Sequence, residues 1–245
     1  MKAPKLLCLS LFMFMRLITA CNKNEDSPPA MAENTTVTVA VKAVIDNLPL
    51  IFDSVEYQNQ AGNIYTVNKL QFYLSRFKLW KDGILESSSD SVVYIDMSSN
   101  NGNFIFSLSG IKYGEYDALS FCVGLDSLHN ISNSLTPSAD NFNMAWPDQM
   151  GGGYHFMKLE GKFKASGMVY GLAIHLGKNA HLVTNELEGN FTVNSSRDTI
   201  QLNMNINEWF RVPEIYDFNI DGNYSMGSDN AMLKLCRNGE DVFGD

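Results

Sequence analysis

An all-β fold, an antiparallel β-sandwich with one long functional loop and a short C-terminal helix, is what this sequence predicts, on three observations. Short segments rich in β-branched or alternating apolar residues recur along most of the chain. Clusters of Asn, Asp, Gly and Ser separate them. No internal repeat and no βαβ rhythm is present, which leaves sheet packed on sheet as the way to bury the apolar faces.

The first residues speak to compartment. Lys2 and Lys5 form a short basic start, and Leu6 to Phe12 begin an apolar run that continues through Phe14 and Met15, interrupted by Arg16. Ile18-Thr19-Ala20-Cys21 then places small residues just before a cysteine, the spacing at which bacteria acylate the cysteine and cleave in front of it. The run is too short to span a bilayer core of roughly 30 Å, so a transmembrane anchor fits less well. The expected organisation is a signal peptide over 1–20, an acylated Cys21 with a flexible tether over 21–35, and one β-domain over 36–245. That predicts a cell-envelope protein, an outer-membrane lipoprotein facing the periplasm or the outside, held to the membrane through the lipid on Cys21. Glu25-Asp26 followed by Ser27-Pro28-Pro29 is a polar segment with nothing to bury. It resembles the surface-export signals of lipoproteins from the Bacteroidetes group, and it reads equally as a solvated linker.

Removal of residues 1–20 takes Lys2, Lys5 and Arg16 and no acidic residue, so the formal charge moves from −9 to −12. An acidic chain repels phosphate backbones, which argues against nucleic acid as a partner. It also enriches cations near the surface, weakly at physiological salt. Of the four cysteines, Cys8 leaves with the signal and Cys21 carries lipid. Cys122 and Cys236 remain, either as a disulfide, which this compartment permits, or as two buried thiols acting as small apolar groups. Their spacing does not choose between the two.

Thr36 to Val41 has the β-branched content of a half-buried strand. Ile64 to Val67 follows the turn residues 59–63. Asn68 to Trp80 fits either helical spacing or alternation, and Asp82-Gly83 immediately afterwards is a hairpin signal that favours strands on both sides. As a strand, its apolar phase switches from Leu70, Phe72 and Leu74 to Phe77 and Leu79, which a β-bulge near Ser75-Arg76 explains. Further strands are expected at Val92–Ile95, Phe104–Leu108, Ala118–Val123, Tyr154–Leu159, Gly167–Leu176, Asn190–Val193 and Asp198–Ile206. Near the end, Ser228 or Asp229 can cap a helix through Arg237, with Gly239 to close it.

The longest interval without a strand pattern runs from Leu128 to Gly153, and loops of that length inside a domain are usually functional or disordered. It ends in Asn143–Leu159, which packs a Met-Trp-Pro turn, three glycines and a histidine into one stretch. Alternation puts His155 on the face of Met157 and Leu159, and His175 on the face of Ala173 and Gly171, where small residues leave room. Two imidazoles from neighbouring strands can converge on one transition-metal ion. The plainer reading is a pair of half-buried, hydrogen-bonded rings; their joint placement around a glycine run in a chain of four histidines favours the metal pair. Met144 and Met150 are soft thioethers that suit copper and equally fill core gaps. Asp148 reads as a hard ligand, a partner for a histidine, or a turn residue. Trp146 reads as packed aromatic, binding platform, or a residue open to oxidation. Gly151-Gly152-Gly153 is a backbone feature, silent about chemistry. His129 and His181 fall in polar segments and are expected to be solvated. Glu160 and Glu208 are read as exposed acids rather than a glycosidase pair. With no Gly-x-Ser-x-Gly elbow, phosphate loop or dinucleotide fingerprint, no enzyme is predicted.

The segments Leu70–Ser75, Phe121–Asp126, Met144-Ala145-Trp146, Gly153–Phe156, Leu159-Glu160-Gly161 and His175-Leu176-Gly177 occur in the order seen in MbnP-like copper-binding proteins, which the chain resembles from about Val37 to Phe243. The resemblance implies an extracytoplasmic β-sandwich that binds copper, with His155 and His175 as ligands. It also implies a partner di-haem peroxidase-like enzyme, with Trp146 the candidate for oxidation to kynurenine. The chain departs from that pattern in two places: Trp146 is flanked by Ala145 and Pro147 where some relatives carry a histidine, and its motif holds one tryptophan where many carry two. A lipid-anchored copper-binding protein that stores, delivers or senses copper is therefore the leading expectation. A surface β-sandwich interaction module without metal, using Trp146 and the long loop as a binding edge, is the rival.

Overall fold

The structure is a computed structural model that describes residues 34–244 apart from Ser196. The predicted signal peptide, Cys21 and most of the tether lie outside the described residues. In chain order the strands are β1 (Asn34–Ile45), β2 (Leu48–Pro49), β3 (Tyr57–Gln58), β4 (Ile64–Lys81), β5 (Ile84–Ser89), β6 (Val93–Asp96) and β7 (Asn103–Lys112). They continue as β8 (Gly114–Val123), β9 (His155–Ala165), β10 (Met168–Gly177), β11 (Val183–Val193), β12 (Thr199–Asn205) and β13 (Phe243–Gly244). Helix α1 (Ala139–Asn143) lies in the long loop and α2 (Asp229–Asn238) near the end.

Two sheets result. One is built on β1, whose Thr-Val-Thr-Val alternation buries Val37, Val39 and Val41; β7 flanks it on one side and β12 on the other. The β1–β12 pair is parallel, an exception in a sandwich whose other strand pairs in this sheet are antiparallel. Nearly the whole domain lies between these two strands in sequence, so no hairpin dictates their direction. The other sheet runs β10-β9-β4-β8-β11. Its hub is β4, which merges two predicted segments into one strand that pairs with β9 along its first half and β8 along its second.

That length is possible because β4 is kinked. The register against β8 shifts between Ser75 and Lys78, and Arg76 sits exposed at φ +58°. The buried set changes there from Leu70, Phe72 and Leu74 to Phe77 and Leu79, as the apolar phase predicts. A second shift against β9, between Val67 and Lys69, moves the phase from Tyr65 and Val67 to Leu70. Because a left-handed conformation strains a residue with a Cβ and suits glycine, Arg76→Gly should raise stability by about 0.5 kcal/mol or more. Urea unfolding measures it; a loss would show that the arginine side chain supports the bulge.

Aromatic rings join the sheets. Phe77 of β4 lies 5.9 Å from Phe121 of β8 and 5.7 Å from Phe106 of β7 in the opposite sheet, while Phe121 meets Phe243 of β13 edge-on at 4.9 Å. Strand β11 starts earlier than its sequence signal because Thr184, Asn185 and Glu186 mask the alternation; Asn185 occupies a fully buried position. Helix α2 begins as expected, with the Ser228 hydroxyl accepting the Ala231 N–H at 3.2 Å, and buries Ala231, Met232 and Leu235. Among the described residues no helix is long and apolar enough to cross a membrane.

Cys122 and Cys236 stand as free thiols, the first buried and the second half-buried. Cys122 Sγ lies 3.6 Å from Thr184 Oγ1, and Cys236 Sγ donates to the Leu182 carbonyl at 3.7 Å. Burial pushes the Cys236 thiol up to about 11, which keeps it protonated and inert as a ligand.

Candidate metal centre

The long loop is ordered by its own polar residues. Ser138 caps α1 by accepting the Asn141 N–H at 3.0 Å. The chain then turns sharply: the Trp146 N–H donates to the Gly153 carbonyl at 2.9 Å, and Ala145 bridges Tyr154. Between them Gly151, Gly152 and Gly153 take φ of +111°, +68° and +85°, a path that residues with a Cβ rarely follow. A Cβ on Gly152 would lie 2.6 Å from Ser132 Oγ, and one on Gly153 would collide with Asn130 Oδ1. Those two side chains instead accept the Gly153 and Tyr154 N–H groups at 2.9 and 2.8 Å. The triglycine is thus a device for delivering the chain into β9.

His155 is the first residue of β9, and His175 lies near the end of the adjacent β10. Their ring centroids are 5.0 Å apart with planes at 89°. Simple alternation does not produce this contact, because it places His155 with Met157 and Leu159, both buried in the core. The ladder supplies the correction. Leu176 pairs with Met157 but Gly177 pairs with His155, leaving Phe156 as an extra residue. Such a bulge re-aims a side chain, and here it brings the His155 ring beside His175.

The two rings differ in environment. His155 is 5% exposed, and its backbone N–H and ring Nδ1 both lie on the Met144 carbonyl, at 2.7 and 3.1 Å. A carbonyl only accepts, so Nδ1 carries the proton and Nε2 keeps its lone pair. Burial, aided by His175 and Lys158 and opposed by the carbonyls of Met144 and Ala145, lowers the pKa of His155 to about 3, so it stays in the neutral, ligating form. His175 Nε2 lies 3.0 Å from Glu160 Oε1, and Glu160 Oε2 pairs with Lys69 Nζ at 3.0 Å. The bond from His175, then Lys69, hold the Glu160 carboxyl at about 2 against the effect of burial. Ser225 Oγ accepts the His175 N–H at 2.7 Å and donates to its carbonyl at 2.6 Å, pinning that residue's backbone. Lys158, opposite His175 in the ladder, is buried and donates to the Asn143 carbonyl at 2.5 Å.

Two imidazoles sharing an ion at metal–nitrogen distances of about 2.0 Å have centroids about 4.5 Å apart at a right angle and about 5.2 Å apart at a tetrahedral angle. The observed 5.0 Å falls between. Among the described residues no group of three or more His, Cys, Asp or Glu side chains is arranged as a metal cage, and the two imidazoles stand as a contacting pair.

Acid should unfold this protein from an unusually high pH. An unfolded His155 takes up its proton near about 6.5, whereas the folded residue resists it down to about 3. Between these values the unfolded chain binds more protons, so stability falls as pH drops through that window, by an amount of the order of a few kcal/mol. Glu160 adds a loss of the same sign from 4.5 down to about 2. Urea midpoints measured against pH should decline below about 6.5, and His155→Gln should flatten the upper part of the decline. A flat wild-type profile there would contradict the buried neutral ring.

Trp146, 2% exposed, places its ring 4.7 Å from His155 and donates Nε1–H to the Met150 carbonyl at 3.3 Å. The indole rests on Gly177, where a Cβ would lie 2.6 Å from Trp146 Cε3. The remaining candidates act through other groups. Met144 is fully buried in the core and contributes its carbonyl, and Met150 likewise serves through its carbonyl. Asp148 accepts the Ser132 hydroxyl at 3.0 Å and belongs to the turn. His129 stays partly exposed on Asp126. His181, expected in solvent, is 5% exposed and donates Nδ1–H to the Gly177 carbonyl at 2.9 Å. Glu208 is taken by Arg211 and Glu160 by His175, so the two acids form no pair. A cleft of about 380 Å³ opens beside the site between α1 and the turn, lined by Leu135, Pro137, Phe142, Trp146, Pro147 and Tyr154.

Fold and site together define a β-sandwich protein with two histidines in contact on paired strands beneath a tryptophan-bearing turn. The MbnP family model matches residues 34–231, and the chain belongs to that family. Among solved structures, MbnP from Methylosinus trichosporium is similar at 16% identity and a TM-score of 0.48, with 76% of this chain and 80% of that one covered. No curated protein matches.

Proposed function

We propose that this chain is a lipid-anchored copper-binding protein of the bacterial cell envelope that stores, delivers or senses copper and catalyses no reaction. The observation that carries the reading is the right-angled contact of His155 and His175 at 5.0 Å, with His155 held neutral. Imidazole nitrogen suits copper, which stands above zinc in the affinity order of first-row divalent ions, and membership of the MbnP family supports the same metal. The lipobox at Cys21 and the acidic pair Glu25-Asp26 support an outer-membrane lipoprotein of the Bacteroidetes type. Trp146 is the residue that a di-haem peroxidase-like partner would oxidise to kynurenine. Its burial under the turn means that such a partner reaches it only across the loop or after the loop moves.

The test is retention of copper by mature protein after loading and desalting. Retention of one ion per chain by the wild type, with loss in His155→Ala and His175→Ala, is the supporting result; a wild type that retains none sinks the reading. Intact mass of protein isolated from its native envelope reports on Trp146. The rival reading, a metal-free interaction module, draws on Phe142, which is 85% exposed at the rim of the cleft. Trp146 itself is too buried to form that edge.

A further inference from the structure

Glu160, Lys69 and His175 form a row across three strands. In the ladders Glu160 pairs with Lys69 of β4 on one side and with Ala173 of β10 on the other, two residues short of His175. Each carboxylate oxygen is committed: Oε1 lies 3.0 Å from His175 Nε2, and Oε2 lies 3.0 Å from Lys69 Nζ. The carboxylate can only accept, so the ring nitrogen facing it must donate.

We propose that Glu160, oriented by Lys69, is the positioning residue of the centre: it holds His175 with the proton on Nε2, which makes Nδ1 the nitrogen available to a metal. This rests on the copper reading above. The reasoning is one of geometry and proton count. A neutral imidazole carries one ring proton, and a carboxylate on Nε2 fixes both its place and the rotation of the ring. Ser225 holds the backbone of the same residue through both its N–H and its carbonyl. Ring and backbone are therefore fixed by different partners, and removing Glu160 releases the ring while leaving the strand in place. His155 is fixed by an independent device, the Met144 carbonyl on its Nδ1. The two histidines accordingly offer opposite nitrogens, Nε2 from His155 and Nδ1 from His175. Such supporting partners typically account for 10–100-fold in metal affinity.

The test uses the mature protein with its histidine ring nitrogens labelled. In metal-free wild type, nitrogen NMR should show His175 protonated on Nε2 and unprotonated on Nδ1, with a hydrogen-bonded Nε2–H proton slow to exchange with water. Glu160→Ala should lose that slow proton and weaken Cu(I) binding about 10–100-fold in protein that is still folded, with the urea midpoint lowered by loss of the paired carboxylate. Glu160→Gln, which keeps an acceptor oxygen, should fall between. Lys69→Met leaves the carboxylate in place and should produce a smaller shift of the same kind. The proposal is overturned by a wild-type His175 protonated on Nδ1 or on both nitrogens, or by Glu160→Ala binding copper as tightly as the wild type. A wild type that binds no copper would sink the metal reading, and the proton resonance would still decide whether Glu160 sets the ring.

Discussion

Replacing His155 with alanine is expected to leave the protein without copper after loading and desalting, and to weaken the fold as well. The two effects have different origins. Copper is lost because a single remaining imidazole, His175, cannot replace a shared site. Stability is lost because the ring of His155 fills a buried position against Trp146 and bonds to the Met144 carbonyl. Deleting the buried ring leaves a void and removes one of the two bonds to the Met144 carbonyl, which keeps the backbone N–H of residue 155, a loss of about 1–3 kcal/mol. His175→Ala should match it in copper content and differ in stability, since the His175 side chain is more exposed, at 14%, and its partner Glu160 keeps Lys69. Metal content alongside urea unfolding separates the two. A His155→Ala protein that keeps its copper would show that the pair is not the centre, whatever its stability.

How far the sequence could be read depends on which physical rule governed each residue. The kink of β4 was legible because an apolar phase change inside a strand has few causes, and Arg76 at φ +58° is where it falls. The helix start at Ser228 was legible for the same reason, a local rule with a local signal. His155 and His175 do stand side by side, but alternation alone faced His155 toward Met157 and Leu159. The bulge at Phe156 that turns it toward His175 depends on the pairing of β9 with β10, and register between strands leaves no mark in a single sequence. Glu160 was read as an exposed acid for a related reason. Fifteen residues from His175 in the chain, it becomes a neighbour only once the hairpin closes. The parallel pairing of β1 with β12 likewise joins the two ends of the domain. The burial of His181 follows from Gly177, whose carbonyl it holds; its polar sequence neighbours suggested the reverse.

Gly177 is where these contacts converge, and Gly177→Ala should be among the most damaging small substitutions in the domain. Its φ lies outside the left-handed region, so the backbone itself tolerates alanine, and the entire effect comes from the indole that rests on it. The new Cβ would stand 2.6 Å from Trp146 Cε3 and 2.7 Å from Cζ3. Neither side yields cheaply. The strand is held by the His181 bond to the Gly177 carbonyl at 2.9 Å and by the ladder to His155. The indole is held by its Nε1–H on the Met150 carbonyl and by the backbone bond from Trp146 to Gly153. Overpacking of this kind costs about 1–3 kcal/mol, and the displaced ring is the one 4.7 Å from His155, so copper retention should fall together with the urea midpoint. Trp146→Phe supplies the control. With a smaller ring the methyl group has room, and the double variant should be more stable than the sum of the single losses predicts, by about 0.5–3 kcal/mol as coupled neighbours show. Additive losses would mean that Gly177→Ala acts through the strand alone, and that the seat of the tryptophan on this glycine plays no part in shaping the site.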